Sequence, residues 1–283
     1  MCCGKSPCAG SVREATILKS LQGHDLSLNS PEAANEHSAM ELSSVRAIPI
    51  EGPQRQTRMV QVSTALLDQQ RILRPGAGGA AGAACKMLRT QVLKRLDKTG
   101  STTLAIVSPR SGDGKTTTAI NLAVTLACDS SRTVLLVDLD LRRPGIARRM
   151  GVEIEAGVED YLEAHAPIER LLFHPIGYER LVILPARAPV ENSSELLMGG
   201  RARELARELK SRYANRIILY DLPPVLEADD ALAFMPNVDA ALMVVRERRT
   251  QRDDIVSAMD LLRDTPIVGT VLNGSQEDRG RPY

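Results

Sequence analysis

A glycine-rich turn between an apolar run and a helical pattern is the feature that most constrains the fold of this chain. Residues 104–107 are continuously apolar, as in a strand buried in a parallel sheet, and apolar residues at helical spacing begin at Ala119. The turn between them reads SPRSGDGKTTT from Ser108. A strand that gives way to a helix in this way directs backbone N–H groups, and the positive end of the helix, at one point. The turn predicts a phosphate-binding loop; an ordinary glycine-rich turn is the alternative.

The residue types in this turn are those that bind the phosphates of a nucleotide. Gly114 lets the backbone approach a phosphate, Lys115 can reach the β- and γ-phosphates, and the Thr116 hydroxyl can bind Mg²⁺. Pro109 stands where the usual G-x-x-x-x-G-K-S/T pattern has its first glycine. The loop residues expected to hold the nucleotide are Ser111, Gly112, Asp113, Gly114, Lys115 and Thr116.

Two further apolar strands end in carboxylates. Residues 134–137 run into Asp138 and Asp140. Residues 217–220 run into Asp221, which is soon followed by two prolines. Ligands bind at the carboxyl ends of parallel strands, so these carboxylates are expected to face phosphates and metal, outside the packed core. One such Asp could instead cap a helix, but three in a chain with a phosphate loop predict a Mg²⁺–nucleotide site.

The order of the predicted elements indicates an α/β fold of the P-loop NTPase type. From residue 84 onward strands alternate with helices, which is typical of βαβ units that form a mostly parallel sheet flanked by helices. The predicted strands are 103–107, 134–138, 182–184, 217–220, 240–245 and 267–272. The predicted helices are 59–73, 84–96, one directly after the phosphate loop, 194–213, 229–234 and 251–263.

Composition divides the chain into three parts. Residues 1–83 are expected to be an N-terminal extension that is mostly disordered, with one or two helices and a flexible joint at 75–84. Residues 84–275 carry the predicted P-loop domain. Residues 276–283 are expected to form a flexible C-terminal tail.

Composition also excludes several kinds of partner and compartment. The 36 basic and 35 acidic residues balance, and Trp is absent, so nucleic-acid binding is not expected. Five Cys without regular spacing argue against a disulfide scaffold and indicate a reducing cytoplasm. No run approaches the ~20 apolar residues that cross a bilayer, so no direct membrane span is expected.

Three segments, in order along the chain, resemble the Walker A, A′ and B motifs of bacterial tyrosine kinases. They are SPRSGDGKT from Ser108, VLLVDLDLRRP from Val134 and IILYDLPPV from Ile217. Residues 86–91 and 184–197 also resemble this family, so that the similarity covers residues 84–275. Such kinases belong to capsule and exopolysaccharide systems, and this pattern is most similar to the soluble kinases of exosortase-linked exopolysaccharide loci.

The resemblance implies an ATP-dependent protein-tyrosine kinase that phosphorylates itself and regulates the synthesis and export of capsular or exopolysaccharide. Its cofactors would be ATP and Mg²⁺. The implied catalytic residues are Lys115, Asp138 and Asp140. The implied metal ligands are Thr116, Asp140 and Asp221. Among these, Asp138 would be the base toward the incoming hydroxyl group.

The resemblance also implies further contacts and partners. Thr117 would contact the α-phosphate, and Asn273 would read the adenine edge, with a turn residue before Gly274 as the equal alternative for Asn273. The expected partner is a membrane polysaccharide co-polymerase, which would recruit this cytoplasmic protein to the inner face of the plasma membrane. Homo-oligomerisation is expected as well.

Departures from the family pattern leave alternatives open. The family ends in a cluster of autophosphorylated tyrosines, whereas this tail has Tyr283 alone, which becomes the candidate site. The family's E-x-x-R-x-x-R assembly helix reads Ala83, Lys86 and Arg89 here, without the glutamate. A non-catalytic subunit that binds ATP and the same partner is therefore one alternative.

A partitioning or positioning ATPase is the alternative from another class. Such proteins carry K-G-G-x-G-K-S/T, whereas Arg110 and Ser111 stand here in place of the early lysine and the first glycine. Arg142, after the second strand, is either a solvated charge or part of a subunit interface.

Overall fold

The computed structural model describes residues 57–128, 131–212 and 215–275, which form one sheet with helices on both faces. In chain order the strands are β1 (Arg58–Val60), β2 (Thr103–Val107), β3 (Thr133–Asp138), β4 (Phe173–Pro175), β5 (Leu181–Leu184), β6 (Arg216–Asp221), β7 (Ala240–Arg246) and β8 (Ile267–Asn273). Within the sheet their order is β1-β4-β5-β3-β6-β2-β7-β8. Neighbouring strands are parallel, except that β4 and β5 are antiparallel.

The helices lie between the strands along the chain, which makes the parallel pairing possible. They are α1 (Thr64–Gln69), α2 (Gly79–Thr99), α3 (Lys115–Ala127), α4 (Ile146–Met150), α5 (Val158–Ala164), α6 (Ile168–Leu171), α7 (Ser193–Met198), α8 (Gly200–Ser211), α9 (Asp230–Phe234) and α10 (Arg252–Leu261). Among the described residues, no helix combines the length and the apolar character needed to cross a membrane.

The central strands are buried on both faces, which explains their continuous apolar sequences. In β2, Leu104 and Ile106 pack into one hydrophobic core together with α3. Ala105 and Val107, which point to the opposite face, pack into a second core together with α8 and α9. The predicted α/β fold, a mostly parallel sheet flanked by helices, is confirmed.

The sheet order brings the three motif-bearing strands side by side. β6 lies between β3 and β2 and is parallel to both. Asp138 is the register partner of Asp221, and Ile106 pairs with Asp221 from the other side. The carboxyl ends of β3, β6 and β2 are therefore level, and the residues that follow them meet at one edge of the sheet.

The structure corrects the predicted helix over 59–73. Its first residues form β1, which pairs with β4, and the Val60 carbonyl accepts the Ile176 N–H at 2.9 Å. The helical part is confined to α1, which begins after Ser63, whose side chain accepts the Leu66 N–H at 3.4 Å. Pairing with β4 therefore places these residues in a strand, although their apolar residues are spaced as in a helix.

Two other predicted boundaries differ from the structure. The joint predicted at 75–84 is helical from Gly79 onward, because the alanines of this stretch have the highest helix propensity. The single helix predicted over 194–213 is two helices, since Gly199 adopts an extended conformation between α7 and α8. The predicted disorder of residues 1–56 and the predicted tail at 276–283 lie outside the described residues, and the division into three parts stays a prediction.

Candidate nucleotide-binding site

The loop between β2 and α3, residues 108–114, ends in a glycine that its backbone conformation requires. Gly114 has φ +91°, in the left-handed region that favours glycine. A Cβ at this position would collide with the side-chain amide of Asn273. Because α3 begins directly afterwards at Lys115, the N–H groups of the helix N-terminus face the turn. The local structure is the strand, turn and helix that an anion-binding loop needs.

Lys115 lies among the carboxylates of the neighbouring strands. Its ammonium group is 2.8 Å from Asp221 Oδ1 and 3.2 Å from Asp140 Oδ2, and the side chain is only 6% exposed. Burial by itself lowers the pKa of Lys115, but the attraction of Asp221 and Asp140 outweighs this, so its pKa is raised. The lysine is therefore charged, and it can exchange these partners for phosphate oxygens.

Asp138 is fully buried behind this ion pair. Its Oδ2 accepts the N–H groups of Gly145 at 3.0 Å and Ile146 at 2.9 Å. Burial, and then the negative charge of Asp221, raise the pKa of Asp138 to about 7, although the two backbone hydrogen bonds act against them. Burial also raises the pKa of Asp140.

The expectation that the strand-end carboxylates lie outside the packed core is wrong. Asp138 and Asp221 are 0% exposed, and Asp140 is 7% exposed. They are buried because β3 and β6 are interior strands and because the segment from Asp140 to α4 folds back over their ends. Each carboxylate therefore depends on neighbouring charges and hydrogen-bond donors more than a solvated one would.

The raised pKa of Asp138 predicts a pH dependence of the ligand-free protein's stability. The folded pKa of about 7 exceeds the unfolded value of 3.8, so the folded state binds the proton more tightly. This contribution to the free energy of unfolding is fully present below the unfolded pKa and is lost as pH rises through the folded pKa. Asp138→Asn, which stays uncharged, should therefore gain stability relative to wild type as pH rises. Urea unfolding at acidic and at alkaline pH measures this; a difference that does not vary with pH would contradict the assignment.

The residues around Lys115 fit a Mg²⁺ ion. Asp221 Oδ2 is buried and has no hydrogen-bond partner in the part of the chain that the structure describes. This carboxylate oxygen, beside the lysine, is therefore available as a ligand for a hard cation such as Mg²⁺. Thr116 follows Lys115, and its methyl carbon lies 3.4 Å from where a Cβ on Gly145 would be. Within residues 57–275 as described, no group of three or more His, Cys, Asp or Glu could hold a metal alone. A phosphate-bound Mg²⁺ needs only one or two carboxylates besides its other ligands.

Sequence reasoning missed the residues that hold the outside of the loop. Arg249 Nη2 donates to the Ser111 carbonyl at 3.2 Å, and Arg246 Nη1 donates to the Gly112 carbonyl at 3.0 Å. On another side of the loop, Glu227 Oε1 accepts the Ser111 N–H at 2.8 Å. No phosphate- or metal-binding motif marks these residues. Arg246 ends β7, Arg249 lies in the segment after β7 and Glu227 in the segment after β6, and the order of strands in the sheet brings them to the loop.

Two predicted nucleotide contacts make structural hydrogen bonds. The buried Asp113 side chain accepts the Arg110 N–H at 3.2 Å and the Thr250 hydroxyl at 2.9 Å, so it shapes the loop from within. Asn273 Nδ2 donates to the Asp113 carbonyl at 2.9 Å. Contact of Asn273 with adenine stays a prediction.

The two arginines singled out in the sequence form ion pairs within the chain. Arg142 Nε is 2.9 Å from Asp230, which is buried, and Nη2 is 3.4 Å from Asp229. Arg110 donates two hydrogen bonds of 2.8 Å to Asp254. Arg110 takes the sequence position of the early lysine of partitioning ATPases, but here it is bound to its own chain on the outside of the loop.

The site and fold define a class of protein. Residues 101–248, just over half of the chain, match the family model described as AAA domain, and the chain belongs to this family. Its relatives are bacterial tyrosine kinases, as the three motifs predicted. It is 28% identical to tyrosine-protein kinase YwqD of Bacillus subtilis (strain 168) over 180 aligned residues. The aligned residues make up 63% of this chain and 74% of YwqD.

Solved structures of a tyrosine-kinase domain and of a septum site-determining protein share this fold. The kinase domain of the Escherichia coli tyrosine kinase ETK matches with a TM-score of 0.66 and 26% identity, over 80% of this chain and 91% of that one. The septum site-determining protein MinD of Pyrococcus horikoshii OT3, solved with Mg-ADP, matches with a TM-score of 0.53 and 28% identity, over 64% of this chain and 73% of that one. The chain spans only 26–32% of the length of other curated kinases that it matches.

Proposed function

We propose that this chain is an ATP-dependent protein-tyrosine kinase that uses Mg²⁺ and phosphorylates its own tyrosines. The observation that carries the proposal is the contact of Lys115 with Asp140 and Asp221 beside the buried Asp138, at the end of a phosphate loop. Relatives named as tyrosine kinases support the kinase activity, and the MinD neighbour solved with Mg-ADP supports the binding of nucleotide and Mg²⁺.

Each charged residue has a role that suits phosphoryl transfer. Lys115 and the loop N–H groups would bind the β- and γ-phosphates. The residues that would hold Mg²⁺, which neutralises phosphate charge when bound, are Thr116, Asp140 and Asp221. By family resemblance, Thr117 would contact the α-phosphate and Asn273 the adenine. The phenolic oxygen of tyrosine attacks the γ-phosphorus, the bond to the β–γ bridging oxygen breaks, and ADP leaves with the electron pair.

Asp138 would take the proton from the tyrosine hydroxyl. A pKa of about 7 suits this task, because the carboxylate is then partly ionised at neutral pH and still basic enough to accept a proton. Its hydrogen bonds to Gly145 and Ile146 fix the orientation of the carboxylate. A positioned base of this kind contributes roughly 10²–10⁴-fold to the rate.

The setting of the reaction rests on the resemblance. We place the kinase in capsular or exopolysaccharide synthesis and export, as a homo-oligomer. A membrane polysaccharide co-polymerase would activate it at the inner face of the plasma membrane.

Tyr283 is the expected main autophosphorylation site. The tyrosines that the structure describes are poor acceptors, because Tyr161 and Tyr178 are 5% exposed and Tyr220 is 0% exposed. Tyr213 and Tyr283 lie outside the described residues. Phosphopeptide mass spectrometry after incubation with Mg-ATP should therefore find most phosphate on Tyr283, and Tyr283→Phe should remove most phosphotyrosine.

Tyr213→Phe is the matched control, and it should keep most of the phosphotyrosine. Undiminished phosphotyrosine in Tyr283→Phe would refute the assignment of the acceptor. Absence of phosphotyrosine in wild type, even with the cytoplasmic segment of the membrane partner, would favour the non-catalytic regulatory subunit. Release of inorganic phosphate without any phosphotyrosine would favour a positioning-type ATPase like MinD.

A further inference from the structure

Three successive carbonyl groups of the phosphate loop are bound by three side chains from the same side of the sheet. The donors lie at the end of β7, in the segment after it, and at the end of β8. The hydrogen bonds are Arg249 Nη2 to Ser111 O (3.2 Å), Arg246 Nη1 to Gly112 O (3.0 Å) and Asn273 Nδ2 to Asp113 O (2.9 Å). The carbonyl oxygens of all three consecutive residues, 111–113, are therefore bound by side chains from outside the loop.

The planar trans peptide links this arrangement to phosphate binding. In each peptide unit the N–H points away from the C=O. If the carbonyls of Ser111, Gly112 and Asp113 are held toward β7 and β8, the N–H groups of residues 112, 113 and 114 are directed to the opposite side. Backbone N–H groups that converge in this way form an anion-binding concavity. The side chains that hold the carbonyls therefore determine where the N–H groups point.

Arg249 packs against Gly112 of the phosphate loop, and Arg246 packs against Gly274, the residue that follows β8. Gly112 has φ +85°, and guanidinium atoms of Arg249 lie 2.6–2.7 Å from where a Cβ would be placed on it. Arg246 packs along Gly274, with side-chain atoms 3.6 Å from the corresponding Cβ position. Glycine at both positions permits this approach, so backbone and arginines form one packed unit.

We propose that Arg246 and Arg249 are positioning residues that hold the phosphate loop in its anion-binding conformation before the nucleotide arrives, and so set the affinity for the β-phosphate. The proposal rests on the nucleotide-binding part of the proposed function and not on tyrosine transfer. Without these hydrogen bonds the loop would become ordered only when the nucleotide binds. The free-energy cost of that ordering would be subtracted from the binding free energy, so the affinity would fall.

The test compares Arg246→Met, Arg249→Met and the double variant with a matched control in the same segment. Arg248→Met removes the same charge, but Arg248 is 78% exposed and its nearest ionic partner is Glu247, at 3.9 Å. Hydrogen exchange of the loop amides is measured in the ligand-free chain, and calorimetry measures binding of Mg-ADP and of AMP, which lacks the β-phosphate. The melting temperature is recorded for each variant.

In the double variant we expect faster exchange at residues 111–114 and about tenfold weaker Mg-ADP binding, the scale of losing two exposed hydrogen bonds. AMP binding, the melting temperature and all properties of Arg248→Met should stay close to wild type. Unchanged Mg-ADP binding would overturn the proposal. So would weaker binding without faster exchange, which would indicate direct contact with the ligand, or an equal loss of AMP binding, which would indicate contact with the nucleoside. A wild-type chain that binds Mg-ADP but never makes phosphotyrosine would refute the kinase proposal and leave this one standing.

Discussion

Replacing Lys115 by Met is expected to weaken Mg-ATP binding by about tenfold or more. The lost interaction is a charged hydrogen bond to phosphate, which contributes ~1.5–3 kcal/mol. The structure adds a reason for a large effect, because Lys115 is buried with its ammonium group between Asp140 and Asp221. Without the lysine, a polyanionic ligand would approach two uncompensated carboxylates. Calorimetric titration with Mg-ATP measures the change, and unchanged affinity would contradict the site assignment.

The same substitution should also destabilise the ligand-free protein. Removing one partner from a buried ion pair leaves an uncompensated charge, at a cost of about 3–5 kcal/mol. Lys115 is 6% exposed and Asp221 is 0% exposed, so solvent screens this pair little. Urea unfolding should show the loss, and part of the stability should return with added Mg²⁺. Lys94→Met, at an exposed position of α2, is the control and should change neither affinity nor stability.

The part of the fold that holds the site could be predicted because its sequence signals are local and strong. β2, β3 and β6 are mostly apolar runs buried on both faces; β3 and β6 end at an aspartate, and β2 is followed by Ser108 and Pro109 at the start of the loop. Gly114, in its left-handed conformation, ends the loop where the motif has its last glycine. These features also predicted the family that the comparisons show.

Other features depend on the order of strands, which local signals do not contain. β1 and β4 are three-residue strands near one edge of the sheet, too short for any periodicity to reveal. Arg246 and Arg249 reach the loop only because β7 lies beside β2. The burial of Asp138 likewise follows from the loop before α4, which folds back over the end of β3. In each case tertiary packing, and not the residue's own sequence neighbours, decides its role.

Asp138→Asn is expected to abolish most phosphoryl transfer without disturbing the fold. A lost general base lowers the rate by roughly 10²–10⁴-fold. Three backbone N–H groups bind Asp138: those of Gly145 and Ile146 reach Oδ2, and that of Asp140 reaches Oδ1 at 3.3 Å. An asparagine with its carbonyl oxygen in the Oδ2 position keeps the first two hydrogen bonds and loses only the longer third one, because its NH2 group cannot accept. Mg-ADP affinity and the melting temperature should therefore stay near wild type, or the latter should rise, because a buried negative charge is removed.

The most direct test of the central claim is transfer of label from γ-labelled ATP to tyrosine in wild type and in Asp138→Asn. Both proteins are incubated with Mg²⁺ and the cytoplasmic segment of the membrane partner, and phosphotyrosine is quantified after hydrolysis. A kinase site at Asp138 predicts labelled phosphotyrosine in wild type and at least a hundredfold slower labelling in the variant, with Mg-ADP binding intact in both. Wild type that binds Mg-ADP but forms no phosphotyrosine, or a variant that labels as fast as wild type, would contradict it.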